Sequence, residues 1–259
     1  MKVGLEGKVA MVAAGTKGIG LAVAKGLAEA GCLVSLCSRD SSSFHAVLTV
    51  LGEQHRAFPC DVSRAEELEA WYDLTVKELG HPQILITNTG GPPAGAWLDM
   101  TDEQWQAGFD STLKNVVRLV RLASPRMKAE GWGRIVHISS LVAVEPNPIL
   151  PISSTLRAGL RALTRLQATE LAPHGVTVNA VLPGHTLTDR QVHLASLRAE
   201  QEGITVEEAL RKQADSVPMK RLADPHEIAA PVLFLCSRAA SYVTGVSLLA
   251  DGGLTKAPG

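Results

Sequence analysis

Short apolar runs alternate with longer amphipathic stretches along the whole chain. The longer stretches repeat apolar residues at helical spacing, as in "IGLAVAKGLAEAG" after the first run. Gly31 is predicted to end this helix as its C-cap, and Ser63 to cap the helix after the third strand. Because helices separate the apolar runs, we expect a doubly wound parallel sheet with helices on both faces, an α/β fold. The predicted strands are 8–14, 33–38, 56–60, 83–89, 133–140, 175–184 and 245–253.

One polar segment departs from this alternation. Residues 185–217 predict one or two amphipathic helices directly after the sixth strand. Ligands of doubly wound sheets bind outside the carboxyl ends of the strands, and the segment follows such an end. We interpret it as a mobile substrate lid inserted into a single domain that spans 1–259, with a solvated surface excursion as the alternative.

The composition narrows the function classes without identifying one. The formal net charge is −1, which gives no reason to expect a nucleic acid or a membrane surface as partner. The apolar runs are too short and too interrupted for a spanning helix, so we expect a cytoplasmic protein. No C-x-x-C pair occurs, so neither a metal site nor a disulfide framework is predicted from the cysteines, which are Cys32, Cys37, Cys60 and Cys236.

A glycine-rich segment, "AAGTKGIG", joins the first strand to its helix. Glycine lacks the Cβ that would obstruct a tight turn and the close approach of a pyrophosphate to the backbone. The helix that begins near Ile19 directs free N–H groups and its positive dipole end towards the same point. The segment therefore predicts a dinucleotide-binding turn formed by Gly15, Thr16, Lys17, Gly18, Ile19 and Gly20.

The end of the second strand, "LCSRD", indicates which dinucleotide binds. An NAD-binding protein usually has Asp or Glu there, bonded to the adenosine ribose. Here Ser38 and Arg39 come first, and Lys17 lies within the glycine turn. Two cations and a hydroxyl suit a 2′-phosphate, so NADP(H) is favoured over NAD(H). The alternative is that Lys17 and Arg39 are solvated surface charges, with Asp40 partly neutralising Arg39.

Further motifs are distributed over the rest of the chain. They are "GTKGIG", "CDVS", "NTGG", "GRIVHISS", "GVTVNAVLPGHTLT", "RLADPHEIA" and "YVTGVSLLADGG". Together they make the chain similar, over essentially its whole length, to the short-chain dehydrogenase/reductase family of the 3-oxoacyl-[acyl-carrier-protein] reductase type. The resemblance implies a Rossmann-type domain, a small carbonyl or alcohol substrate, a homotetramer, and an adenine bonded by Asp61. The other cofactor-binding residues that it implies are Val62, Asn88, Gly90, Arg157, Pro183, Gly184 and Thr188.

The catalytic centre of that family consists of Asn, Ser, Tyr and Lys. Ser140 matches the serine, because it lies at the family's spacing before Ser153. Aligned on the "AGL" that follows the family's lysine, Arg157 stands at the lysine and Ser153 at the tyrosine. Counting from Trp105 places Thr112 at the asparagine. The resemblance thus gives Ser140, Ser153, Arg157 and Thr112 as catalytic residues, of which only Ser140 keeps the family's residue type.

These replacements change the expected proton route. In the family the tyrosine exchanges a proton with the substrate oxygen, and the lysine binds the nicotinamide ribose. Ser153 and Arg157 share one helix face, so Arg157 can keep the positive charge and the ribose hydrogen bonds. A guanidinium does not deprotonate in proteins, however, and a serine hydroxyl is a weaker acid than tyrosine. Other candidate donors are His185, Glu145, and a water held by Ser140, Ser153 and Thr112.

Three nearby residues have structural interpretations. His137 is expected to pack within the sheet, and Lys114 to face solvent rather than the site. Trp97 is expected to pack against its own loop, 90–97, with substrate contact as the alternative.

Two functions remain open on the sequence. The first is an NADP(H)-dependent oxidoreductase that reduces a carbonyl or oxidises an alcohol by an altered proton route. The second is an NADP(H)-binding protein without turnover, a sensor or the silent partner of an oligomer. The glycine turn, Asp61, Asn88 and Ser140 fit both. Because the changes are confined to the catalytic positions, the sequence favours the enzyme.

Overall fold

The seven predicted strands all form, and they lie in one sheet. The computed structural model describes residues 4–256. In the sheet, the third strand lies at one edge, followed by the second, first, fourth, fifth, sixth and seventh, and every neighbouring pair is parallel. The predicted doubly wound α/β fold is confirmed. The strands are β1 (Val9–Val12), β2 (Leu33–Ser38), β3 (Arg56–Pro59), β4 (Ile84–Thr87), β5 (Gly133–Ile138), β6 (Val176–Pro183) and β7 (Ser247–Ala250).

Helices cover both faces of this sheet. Those within the described residues are α1 (Gly18–Glu29), α2 (Phe44–Leu51), α3 (Ala65–Leu79), α4 (Asp102–Phe109), α5 (Asn115–Glu130), α6 (Pro151–Leu171), α7 (Asp189–Glu202), α8 (Val206–Ser216) and α9 (Pro225–Cys236). Side chains alternate between the faces along each strand. On β1, Val12 packs with α1, α2 and α9, whereas Met11 packs with α3, α5 and α6. Strands β5 and β6 are buried along their whole length, as parallel strands covered on both faces should be.

The observed helix ends differ from the predicted caps. The C-cap of α1 is Ala30, and Gly31 follows it with φ +84°, a left-handed conformation that glycine adopts without strain. That prediction is wrong by one residue. The prediction of Ser63 as the N-cap of α3 is also wrong, because Arg64 occupies the cap position. The hydroxyl of Ser63 donates to Asp61 Oδ1 at 2.8 Å instead of accepting from the helix.

The last strand is shorter than predicted. The prediction ran over 245–253, whereas β7 ends at Ala250. Gly245, Gly252 and Gly253 all have positive φ, which takes them out of extended conformation. The glycines therefore mark the turns on either side of β7.

The polar segment 185–217 folds as two helices, α7 and α8. Thr188 caps α7 by accepting a hydrogen bond from Gln191 N, and Thr205 forms a capping box with Glu208 on α8. The side chains of Gln191 and Gln213 are hydrogen-bonded to each other where the two helices pack. Among residues 4–256, no helix is both long enough and apolar enough to cross a membrane.

Candidate active site

The sheet has a crevice at the carboxyl ends of β1 and β4. The strand order reverses there, so the loops that follow these two strands diverge. A cavity of about 1040 Å³ lies in the crevice, and we call it the large cleft. Its wall brings together the predicted cofactor residues Thr16, Lys17, Ser38, Arg39, Asp61, Val62 and Gly90.

Glycines shape the turn beside the large cleft. A Cβ on Gly20 would clash with the carbonyl oxygen of Ala14, and one on Gly15 would lie 2.7 Å from the Cβ of Leu36. Asn88, just after β4, donates from Nδ2 to that Ala14 oxygen at 3.3 Å. The turn is therefore packed against both neighbouring strands, and only residues without a side chain fit its inner positions.

The N-terminus of α1 opens onto the same turn. The helix begins at Gly18, which has φ +50°, and its N-cap residue Lys17 forms no side-chain cap. The N–H groups of the first turn consequently lack a side-chain acceptor from the cap. An uncapped helix N-terminus beside a cleft is a binding site for phosphate.

Two cations stand at the end of the large cleft near β2. Lys17 and Arg39 are exposed, and no ion pair within residues 4–256 includes either of them. Hydrogen bonds from Ser42, and then the charge of Lys17, lower the pKa of Asp40. Burial raises the pKa of Asp61, but hydrogen bonds from Ser63 and the charges of Arg39 and Arg64 outweigh it and lower this pKa. The carboxylates of Asp40 and Asp61 accept hydrogen bonds from Ser42 and Ser63 and form no ion pair with Lys17 or Arg39. The two cations are therefore available to an anion.

A second, smaller cavity of about 220 Å³ continues from the large cleft, and we call it the inner pocket. Thr89 and Gly91 line both cavities and form the boundary between them. The predicted residues on the wall of the inner pocket are Ile19, Asn88, Ser140, Ser153, Arg157, Pro183, Gly184, His185 and Thr188. The loops after β4, β5 and β6 and the helices α1, α6 and α7 position them.

Ser153 and Arg157 form a hydrogen-bonded pair on the first two turns of α6. Arg157 Nε donates to Ser153 Oγ at 3.2 Å, and its Nη1 donates to the carbonyl oxygen of Ile138 at 3.1 Å. The two residues are only 7% and 6% exposed. Burial, and then the charge of Arg190, lower the pKa of Arg157 to about 10, so the guanidinium stays protonated at pH 7. Because Ser153 Oγ accepts from Arg157, the hydrogen of its own hydroxyl is free to be donated into the pocket.

The other two predicted catalytic residues lie in different surroundings. Ser140 borders the inner pocket and accepts a hydrogen bond from Val142 N at 3.4 Å. Thr112 lies in the π-helical turn Asp110–Lys114 and is 1% exposed. Its Oγ1 has no hydrogen-bond partner among the described residues, and it reaches the wall of neither cavity. The structure thus brings Ser140, Ser153 and Arg157 together and leaves Thr112 behind the wall.

One face of α7 closes the inner pocket with Arg190, Gln191, Leu194 and Arg198. Arg190 Nη2 donates to the carbonyl oxygen of Pro92 at 2.6 Å, which ties α7 to the loop after β4. The sequence interpretation treated 185–217 as one block and missed both arginines. Their signal was the spacing of four between Arg190, Leu194 and Arg198, which places them on one helix face.

Of the other two candidate proton donors, His185 lies at the inner pocket and Glu145 does not. His185 borders the inner pocket, where burial and then the charge of Arg198 lower its pKa. Glu145 lines neither cavity, and its carboxylate accepts from Lys256 N at 2.9 Å. His185 is therefore within reach of the pocket, and Glu145 is turned towards the end of the chain.

The structure confirms the interpretations of His137 and Lys114 but not that of Trp97. His137 packs in the sheet as predicted, bonded to Thr87 Oγ1 at 2.8 Å, and burial lowers its pKa to about 4. Lys114 faces the surface as predicted, with Nζ 3.4 Å from Asp110. The predicted packing of Trp97 against its loop is wrong, since 65% of this residue is exposed.

Comparisons with known proteins agree with this architecture. The family model described as Enoyl-(Acyl carrier protein) reductase matches residues 13–255. The 3-oxoacyl-[acyl-carrier-protein] reductase of Vibrio cholerae is 33% identical over 250 residues, which cover 96% of this chain and 98% of that protein. The structure of L-sorbose reductase from Gluconobacter frateurii with NADPH and L-sorbose has a TM-score of 0.94 at 32% identity, over 100% of both chains. A variant of actinorhodin polyketide ketoreductase solved with NADPH has a TM-score of 0.93 at 30% identity, over 96% of this chain and 98% of that one. The chain belongs to the short-chain dehydrogenase/reductase family.

Proposed function

We propose that the protein is an NADP(H)-dependent oxidoreductase that interconverts a small carbonyl compound and its alcohol. The observation that carries the proposal is the large cleft, in which the uncapped N-terminus of α1 and the cations Lys17 and Arg39 offer separate sites for phosphate groups. The reductase and ketoreductase structures that this chain resembles were both solved with NADPH. The cleft and the relatives therefore support the same cofactor.

Residues of the two cavities contact different parts of the cofactor. Lys17, Ser38 and Arg39 hold the 2′-phosphate, and Asp61 and Val62 border the adenine. Asn88 and Gly90 support the middle of the cofactor. The nicotinamide end faces the inner pocket, whose wall there consists of Ile19, Arg157, Pro183, Gly184 and Thr188. Bound NADP(H) supplies the hydride of the reaction.

Ser153 takes the place of the proton donor in this proposal. Its hydroxyl donates to the substrate oxygen, while Arg157 Nε donates to the same Oγ. A charge-assisted hydrogen bond to Oγ polarises the hydroxyl and stabilises the negative charge that develops on it. Ser140, which also lines the pocket, orients the carbonyl. His185 is the weaker candidate, because its lowered pKa leaves the imidazole neutral at pH 7.

Three features of the proposal concern the whole protein. We propose that α7 and α8 act as the lid of the inner pocket within a single domain, 1–259. The cytoplasmic location and the homotetramer rest on the composition and on the family resemblance. Thr112 stays a predicted member of the site that acts from behind the pocket wall.

A fluorescence titration with NADPH and NADH tests the cofactor, and NADPH oxidation with a panel of small ketones and aldehydes tests turnover. We expect tight binding of NADPH, much weaker binding of NADH, and reduction of at least one carbonyl compound. Tight binding without any turnover would favour the alternative of a silent NADP(H)-binding protein. If neither dinucleotide binds at millimolar concentration, both functions are excluded.

A further inference from the structure

The inner pocket carries an unbalanced positive charge. Its wall contains Arg157, Arg190 and Arg198, and within residues 4–256 no aspartate or glutamate lines it. The large cleft differs, since several carboxylates lie among its lining residues. The excess of cations is therefore a property of the inner pocket and not of the whole site.

These arginines have hydrogen-bond acceptors but few carboxylate partners. In the part of the chain that the structure describes, Arg157 and Arg190 form no ion pair, and Arg198 Nε approaches Glu202 only to 4.0 Å. Burial lowers the pKa of Arg190, and burial and then the charge of Arg190 lower that of Arg157. Gathering like charges in a partly buried pocket is unfavourable unless an anion joins them. The inner pocket therefore favours the binding of a negatively charged group.

The phosphates of the cofactor account for only part of this charge. They have Lys17, Arg39 and the N-terminus of α1 in the large cleft. Arg190 Nη2 would lie 3.3 Å from a Cβ on Gly91, at the boundary of the two cavities, so it is within reach of either. Arg198 is two turns further along α7, about 12 Å along the helix axis, and lines the inner pocket alone. Arg198 can therefore contact an anionic group of the substrate, but not the cofactor phosphates in the large cleft.

The rest of the wall indicates the size and character of the substrate. Its apolar side chains include Leu141, Val142, Ile149, Leu150 and Leu194. A volume of about 220 Å³ is below the usual range for ligand pockets. A short carbon chain fits these walls, and a guanidinium binds carboxylate in a planar, bidentate manner.

We propose that the substrate is a small oxoacid, or the corresponding hydroxyacid, whose carboxylate is bound by Arg198 and Arg190 while its carbonyl oxygen lies at Ser140 and Ser153. This inference rests on the proposed carbonyl reduction and names its substrate class. The step transfers hydride from NADPH to the carbonyl carbon and the hydroxyl proton of Ser153 to its oxygen, yielding NADP⁺ and the hydroxyacid. A proton from water then restores the Ser153 hydroxyl.

The test compares acids with their neutral methyl esters. Acetoacetate and levulinate, each with its methyl ester, are assayed by NADPH oxidation with the full-length protein. We expect kcat/KM for at least one acid to exceed that of its ester more than tenfold. Arg198→Gln should raise KM for the acid by roughly 10- to 100-fold and leave KM for the ester and Kd for NADPH almost unchanged. Arg198→Lys keeps the positive charge but lacks the planar guanidinium. Its KM for the acid should therefore lie between those of the parent and of Arg198→Gln.

The matched control is Arg211→Gln, an exposed arginine on α8 that lines neither cavity. We expect it to change neither KM nor Kd. If Arg198→Gln does not fold, as judged by its thermal transition, Arg190→Gln provides the same comparison. Arg190→Gln supports the inference if it affects the acid more than NADPH and opposes it if it affects both equally.

Other outcomes separate this inference from the proposed function. Esters reduced as well as acids would overturn the inference while carbonyl reduction stands. A loss of NADPH affinity equal to the loss for the acid would assign Arg198 to the cofactor and also overturn it. If no compound is turned over, the acids are titrated into the NADPH complex and followed by its fluorescence. Binding that depends on Arg198 then supports the anion site and excludes the reduction, and absence of binding overturns both.

Discussion

The large cleft and the inner pocket are neighbours built from different parts of the chain. The large cleft adjoins backbone groups of the glycine turn and of the N-terminus of α1. The inner pocket is made by side chains that α6 and α7 project into it. Ser153 and Arg157, two of the three positions at which the resemblance predicts a departure from the family's residues, line the inner pocket. A backbone site tolerates little change, whereas a side-chain site can be altered without disturbing the fold.

The Ser153–Arg157 pair shows how the inner pocket holds a buried charge. Arg157 is nearly fully buried, yet its guanidinium donates to Ser153 Oγ and to the carbonyl oxygen of Ile138. A buried charge with those two hydrogen bonds costs far less than an unsatisfied one. The two side chains therefore support each other, and substituting one should alter the hydrogen bonding of the other.

The largest expected effect is on turnover in the inner pocket. Ser153→Ala removes the hydroxyl that donates to the substrate oxygen, so we expect kcat to fall by about 10²- to 10⁴-fold. Because the proposed phosphate and adenine contacts lie in the large cleft, which Ser153 does not border, Kd for NADPH should stay within twofold, roughly 0.4 kcal/mol. Steady-state kinetics and a fluorescence titration measure the two quantities on the same preparation.

Ser154→Ala is the matched control for this variant. Ser154 is the next residue of α6, equally buried, and its Oγ accepts from Asn147 N at 3.1 Å. Its loss should lower the free energy of unfolding by about 1 kcal/mol and leave kcat nearly unchanged. Equal losses of kcat in both variants would show that packing of α6, and not the Ser153 hydroxyl, supports turnover.

The next effect is on the backbone of the large cleft. In Gly20→Ala the new methyl group meets the carbonyl oxygen of Ala14, which is held by Asn88 and cannot move freely. We expect the free energy of unfolding to fall by about 1–3 kcal/mol and NADPH binding to weaken, because the turn must open. Chemical denaturation and the NADPH titration measure both changes.

Gly159→Ala serves as the control for Gly20→Ala. Gly159 is inside α6, and a Cβ there would make only an ordinary contact at 3.8 Å with Leu113. Alanine favours a helix interior over glycine, so this variant should be as stable as the parent or up to about 1 kcal/mol more stable. If Gly20→Ala binds NADPH as well as Gly159→Ala does, the turn is less constrained than its contacts indicate.

The same contrast explains what the sequence could predict. The glycine turn was predictable because its geometry is local and follows directly on a buried strand. The Ser153–Arg157 pair was predictable because residues four apart share a helix face. The spacing places Arg190 and Arg198 on one face of α7, but which way that face points depends on how α7 packs with α8, which no local pattern determines. Thr112 was placed by counting, but the π-helical turn sets it behind the wall.

The smallest effect concerns the choice between NADPH and NADH. Lys17→Gln and Arg39→Gln each remove one exposed cation from the 2′-phosphate site, and exposed charge pairs contribute at most about 1 kcal/mol each. We expect Kd for NADPH to rise roughly fivefold in each variant, with Kd for NADH unchanged. Lys77→Gln, an exposed lysine on α3 away from both cavities, should change neither value. The preference for NADPH should also shrink as salt rises, because the interacting charges are solvated. A preference that survives both substitutions and high salt would mean that backbone N–H groups, rather than these cations, recognise the 2′-phosphate.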